Sequence, residues 1–276
     1  MTGWFEGYVN ANGIRIHYWR TGGADGGKPP VVLAHGFSDN GRCWQRVARA
    51  LEARYDVIMP DARGHGLSEA PATGYDYGTL AADLAAFCTT LRLSRSVIGG
   101  HSMGGSTVCA AAALYPDLWR AVVLVDPGWT DARGEQVTNT MDKARARRLM
   151  TRAQLLLLLD ERHPNWVMDD RDPWVEARMQ LSEAALQLGA QPSGNWREQT
   201  VAIACPALLV VADPAPPGSA PDRPLDGIVT PQMAAEAQQL NPRISVAHIA
   251  HAGHSIHYDQ FDAFVATVTA FLRSLA

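Results

Sequence analysis

The stretch Gly100-His101-Ser102-Met103-Gly104-Gly105 constrains this chain more than any other. The run before it, 95–99, predicts a short strand, and the small-residue run 106–113 predicts a helix. A strand that passes into a helix within so few residues puts Ser102 at the tip of a sharp, strained turn, the Gly-x-Ser-x-Gly pattern of a nucleophile elbow. Glycines are needed on either side because a Cβ would strike the neighbouring strand or helix. The helix that follows aims free N–H groups and its positive dipole end at the turn. Negative charge developing on a substrate oxygen would be stabilised there. The bland alternative is an ordinary glycine-rich turn, so the rest of the chain has to decide.

Strand and helix signals alternate along that chain. Residues 8–10 and 14–19 flank the turn signal Ala11-Asn12-Gly13 and predict an edge hairpin. Val31 to Ala34, Val57 to Pro60, Arg120 to Val125, Pro206 to Val211 and Ile244 to Ile249 are short apolar runs of the kind buried in a parallel sheet. Helical periodicity appears at 44–53, 79–91, 231–240 and 261–275. The expected fold is α/β: a mostly parallel, twisted sheet with helices on both faces. Ligands of such sheets bind beyond the carboxyl ends of the strands. His35, Asp61 and Ser102 each follow a predicted strand, so all three are expected on one edge. The N–H groups of Phe37 and Met103 would there form a two-donor oxyanion hole. Asp61 and Arg63 are expected to brace a loop beneath the site.

The chain resembles the α/β-hydrolase fold superfamily. The resemblance rests on His35-Gly36-Phe37, on Asp61-Ala62-Arg63-Gly64-His65-Gly66-Leu67-Ser68, on the elbow, and on Ala252-Gly253-His254. It implies that Ser102 is a nucleophile and His254 its general base. The acid behind His254 has several candidates. Asp126, at the end of the strand after the elbow, is placed first; some family members, including the zearalenone-type lactonases, carry the acid there. Asp226 is second, and Asp213 third. The plain alternative for Asp126 is a structural cap on the loop that follows.

Between Trp129 and Thr200 no buried-strand signal appears, and helices are expected over 136–159 and 173–188. This predicts a helical cap, 129–200, over a core formed by 1–128 and 201–276. The basic cluster Lys143-Ala144-Arg145-Ala146-Arg147-Arg148 reads as a solvated helix face. The tryptophans 129, 166, 174 and 196 read mainly as the cap's own core, with Trp129 the candidate for the substrate pocket.

The expected activity is hydrolysis of an ester or lactone of a bulky apolar or aromatic acyl substrate, through an acyl-enzyme. The alternatives are an amide, carbamate or carbon–carbon bond hydrolase, a perhydrolase, a cyanohydrin-type lyase, or a non-catalytic ligand receptor on the same fold. No cofactor is expected. His251, His254 and His257 sit three apart without acidic or cysteine companions at ligand spacing, so no metal is expected either. A net charge of −4 gives no reason to expect nucleic acid. No apolar run approaches the ~20 residues of a membrane span, and no membrane partner is expected. Cys43, Cys88, Cys109 and Cys205 are scattered, and the start of the chain carries no secretory pattern. Reduced thiols and a cytoplasmic location are the expectation.

Overall fold

Strands β1 (Phe5–Ala11) and β2 (Ile14–Arg20) form the edge hairpin, and Asn12 and Gly13 turn it at positive φ (46° and 78°). The computed structural model describes residues 3–22, 27–93, 95–129, 135–190, 194–213 and 227–275. Next come β3 (Pro30–Ala34), α1 (Gln45–Leu51), β4 (Asp56–Pro60), α2 (Tyr77–Thr90), β5 (Ser96–His101), α3 (Met103–Leu114) and β6 (Trp119–Val125). Then follow α4 (Glu135–Arg148), α5 (Arg152–Arg162), α6 (Met168–Gln180), α7 (Trp196–Ala202) and β7 (Ala207–Ala212). The chain continues with α8 (Pro231–Leu240), β8 (Ile244–Ile249), α9 (Ile256–Asp259) and α10 (Phe261–Ser274). The sheet order is β1-β2-β4-β3-β5-β6-β7-β8. From β4 to β8 neighbouring strands are parallel; β2 is antiparallel to both β1 and β4.

The uninterrupted apolar runs are explained by burial on both faces. Successive side chains alternate. Val32, Ile58, Ile98, Val122 and Leu209 face a core built with α2, α3, α7 and α8. Val31, Val57, Val97, Val123 and Leu208 face the opposite core, with α1 and α10. β5 lies between β3 and β6, with Ala34 level with Gly100 and His101 level with Val125. The residues that follow these three strand ends therefore share one place on the sheet edge.

The expected helix over 136–159 is two helices. Thr151 accepts from the Gln154 N–H, while the Gln154 side chain accepts from the Thr151 N–H, a capping box that starts α5 afresh. The phase is reset, and Leu149 is left exposed rather than packed. The expected 173–188 helix likewise begins earlier, at Met168, and carries Pro173 inside it. Proline lacks the N–H that would bond four residues back. The Asp169 carbonyl freed in this way accepts from the Gln45 side chain, which fastens α6 to α1.

Two tryptophans depart from the expected cap core. Trp129 and Trp196 stack at 4.7 Å with an interplanar angle of 12°, both 1% exposed, in the core between the sheet and α3. Trp129 is thus core and not pocket lining: the chain folds back against α3 directly after β6. Trp166 and Trp174 do pack with Leu155, Leu159 and Val175 in the helical segment between β6 and β7, called the insert below. Trp196→Ala is expected to cost about 3–5 kcal/mol, as for other buried large-to-small changes. Chemical denaturation followed by circular dichroism measures it; a cost below about 1 kcal/mol would contradict this placement.

Candidate active site

Ser102 has φ 54° and ψ −114°, a backbone conformation that L-residues rarely hold. Its surroundings impose it. The Ser102 N–H donates to the Val125 carbonyl (3.0 Å), and the Ser102 carbonyl accepts from Ser106 and Gly128 (3.0 Å each). A Cβ on Gly100 would lie 2.2 Å from the Gly104 carbonyl oxygen, and one on Gly104 would lie 2.3 Å from that of Ala34. Both glycines are thus demanded by close backbone approach. Among the described residues, neither the Phe37 N–H nor the Met103 N–H has a hydrogen-bond acceptor.

His254 donates from Nδ1 to Asp126 Oδ2 at 2.6 Å. Asp126 is fully buried and also accepts from the N–H groups of Ile228 and Val229, both at 2.8 Å. Three donors satisfy a carboxylate that burial would otherwise penalise. The structure thus brings Ser102, His254 and Asp126 to one edge. Asp226 lies outside the described residues. Asp213 pairs instead with His248 Nδ1 at 3.0 Å. Among the described residues no His, Cys, Asp and Glu side chains cluster as a metal site.

His101, Asp39 and Asp259 join the site without an expected role in it, and His35, Asp61 and Arg63 stand beside them. His101 donates from Nε2 to the His254 carbonyl at 2.8 Å and packs ring to ring on His254 at 4.6 Å. Its Nδ1 is buried without a partner. Asp39, in the loop after β3, pairs with Arg178 of α6 at 2.7 Å, both buried. Burial raises the Asp39 pKa, but Arg178, His101 and His35 outweigh it and hold the carboxyl below its usual range. Asp259 accepts from both the Gly253 N–H (2.9 Å) and the Trp166 indole (2.8 Å), tying the His254 loop to the insert. His35 donates from Nδ1 to the Gly36 carbonyl (2.8 Å) and accepts from the Ala62 N–H at Nε2 (3.0 Å). Asp61 braces the neighbouring loop by accepting from the Gly41 and Leu67 N–H groups at 2.7 and 2.9 Å. Arg63 is held against Asp83.

A cavity of about 400 Å³ opens over this edge. Ser102, His101 and His254 line one side, with Phe37 and Tyr258; Trp166 and Trp174 of the insert line the other.

Residues 29–166 match the profile of the alpha/beta hydrolase fold family. This chain belongs to that family. The α/β hydrolase is 39% identical over 101 residues to 2-(acetamidomethylene)succinate hydrolase of Mesorhizobium japonicum, covering 37% of this chain and 36% of that one. It is 40% identical over 123 residues to N-formylmaleamate deformylase of Pseudomonas putida, covering 44% of each. These matches span less than half of those relatives' lengths. Its fold superposes on crystalline E-2-(acetamidomethylene)succinate hydrolase with a TM-score of 0.80 at 22% identity, covering 98% of this chain and 99% of that one. Among the described residues no helix of this α/β hydrolase is long and apolar enough to cross a membrane.

The site's histidines set a pH limit on stability. Burial, with neighbouring histidines, pushes His101 down to about 4 and His257 well below its ordinary value. Burial likewise pushes His65 to about 3. The folded protein refuses protons that the unfolded chain accepts near pH ~6.5. Between that pH and about 4 the unfolded state binds more protons, so acidification destabilises the fold, by up to about 1.4 kcal/mol per pH unit for each group. The Tm is expected to fall as pH drops from 6.5 to 4, and His101→Gln to shallow that slope. Differential scanning fluorimetry across the range tests both; parallel slopes would contradict the assignment.

Proposed function

We propose that this α/β hydrolase is a serine hydrolase that cleaves a carboxylic acyl bond through an acyl-enzyme. The observation that carries the reading is the 2.6 Å bond from His254 Nδ1 to buried Asp126, with Ser102 held at positive φ in the same cavity. Because Nδ1–H is committed to the carboxylate, Nε2 keeps a lone pair. His254 would accept the Ser102 proton there as Oγ attacks the carbonyl carbon. Asp126 orients the imidazole and stabilises its protonated form. The N–H groups of Phe37 and Met103, which have no acceptor of their own, would hold the oxyanion. His254 then protonates the leaving alkoxide or amine. Water, deprotonated by His254, releases the acid and restores Ser102.

The bond is an ester, lactone or amide. The relatives' names contain an acylated nitrogen, which supports adding amides to the expected esters and lactones. Phe37, Trp166, Trp174 and Tyr258 support an apolar or aromatic element in the substrate. Helices α4 to α6, which supply much of the cavity wall, would serve as a lid that keeps water from the acyl-enzyme. The four cysteines are buried and unpaired, which supports a reducing, cytoplasmic setting.

Ser102→Ala is expected to lower kcat/KM at least about 10³-fold, and Asp126→Asn by on the order of 10³–10⁴-fold, with the fold intact. Rates on a panel of esters, lactones and amides, with fluorophosphonate labelling located by mass spectrometry, test this. Full turnover by Ser102→Ala would end the proposal. Near-normal turnover by Asp126→Asn would remove Asp126 from it.

A further inference from the structure

The basic cluster at the end of α4 is not one solvated face. The helix divides it. Arg145 and Arg148 turn outward to Glu183 at 3.3 and 2.8 Å, and Arg148 also donates to the Leu181 carbonyl at 3.1 Å. Lys143 and Arg147 are four residues apart and share a different face. Both line the cavity that holds Ser102 and His254, and Arg162 at the end of α5 joins them. Among the described residues none of these three side chains has a carboxylate partner or a hydrogen bond. Among the described lining residues the one carboxylate is Asp39, and Arg178 already neutralises it.

Lys143 and Arg162 are exposed and cheap to leave alone, but Arg147 is half-buried. The Trp174 ring lies 5.9 Å from its guanidinium. Burial, then Arg178 and Arg162, depress its pKa to about 10. A desolvated cation facing like charges, with no anion beside it, opposes folding. A ligand that brings the missing negative charge reverses the sign of that term. Cavities lined by one charge also concentrate the opposite ion. The guanidinium fork matches a carboxylate's two oxygens.

We propose that Lys143, Arg147 and Arg162 form a carboxylate-binding subsite, and that the acyl substrate of Ser102 carries a free carboxylate away from the bond that breaks. The substrate class is then the half-ester or half-amide of a short dicarboxylic acid, its alcohol or amine part carrying the apolar element, sized to a cavity of about 400 Å³. Its carboxylate meets the insert while its scissile carbonyl meets the elbow. The catalytic half of this statement rests on the serine-hydrolase reading above; the binding half does not.

Two measurements separate the halves. In Ser102→Ala protein at low salt, calorimetry is expected to show succinate or glutarate binding at least tenfold more tightly than the neutral diamide glutaramide. Adding Arg147→Gln is expected to weaken dicarboxylate binding at least tenfold. Arg145→Gln, on the outer face, is the control and leaves it unchanged. With Ser102 intact, kcat/KM for monomethyl glutarate is expected to exceed that for dimethyl glutarate at least tenfold. Arg147→Gln is expected to collapse that ratio chiefly through KM. Equal binding of glutarate and glutaramide, insensitivity to Arg147→Gln, or tighter binding of inorganic phosphate than of either dicarboxylate would overturn the subsite. Arg147-dependent glutarate binding without turnover of any ester, lactone or amide would leave the subsite standing and fell the serine-hydrolase reading. Turnover of both esters with no preference would do the reverse.

Discussion

The Asp126 carboxylate holds the edge of this molecule together. It is fully buried, so its charge is tolerable only because three donors fill its lone pairs. Those donors come from separate parts of the chain. His254 follows β8, while Ile228 and Val229 precede α8. The carboxylate itself ends β6, whose Val125 carbonyl fixes the Ser102 N–H. One ionised group therefore sets the register of three loops against the elbow. Removing the charge while keeping the shape would leave the N–H groups of Ile228 and Val229 facing a weaker acceptor, so the loss would be one of orientation as well as of electrostatics.

Strain is gathered at the same place. Ser38, Ser102 and Asp126, following β3, β5 and β6, have φ of 62°, 54° and 38°. None is a glycine, and such backbones cost of order 1–3 kcal/mol each. They persist because β5 lies between β3 and β6, and close packing over-determines each turn. A Cβ on Gly36 would lie 2.8 Å from both Asp39 and His101, which shows how little room the loop after β3 has. The site is preorganised by neighbouring backbone rather than by long side chains.

Most of this was legible in the sequence, for physical reasons that also mark where reading fails. Strands buried on both faces must be uninterrupted apolar runs, so β3 to β7 stood out. Ser102 stood out because its glycines are sterically required. Asp126 and Asp226 are hard to tell apart from sequence, and residues 228 and 229, just beyond Asp226, donate to Asp126 itself. The leucines on either side of Thr151 simulate one periodic helix and mask the break before α5 that Thr151 and Gln154 signal. Trp129 packs in the core against α3 rather than in the cavity wall, and composition cannot say which way a chain leaving the sheet turns. Asp39 was unreadable: its meaning arrives with Arg178, 139 residues later. Lys143 and Arg147 were readable only in part, since helical phase separates them from Arg145 and Arg148 but cannot say which face meets the cavity.

The two walls of the cavity are anchored very differently. Helix α6 is fastened by the buried Arg178–Asp39 pair, by Arg46 on buried Asp170 (2.8 Å) and by Asn40 on Gln180 (2.9 Å). Breaking a buried pair strands the remaining charge at a cost of about 3–5 kcal/mol. The ion pairs of α4, from Arg145 and Arg148 to Glu183, are at the surface and worth about 0–1 kcal/mol each. What holds α4 is instead Ala144 and Met141 packed against Leu186 and Leu188. The cations at the cavity oppose that packing until something neutralises them. Among the described residues the helices between β6 and β7 are therefore most firmly tied where α6 meets the loop after β3 and least satisfied where Arg147 faces the cavity. Occupation of that wall by an anion would remove the repulsion that works against the packing of α4.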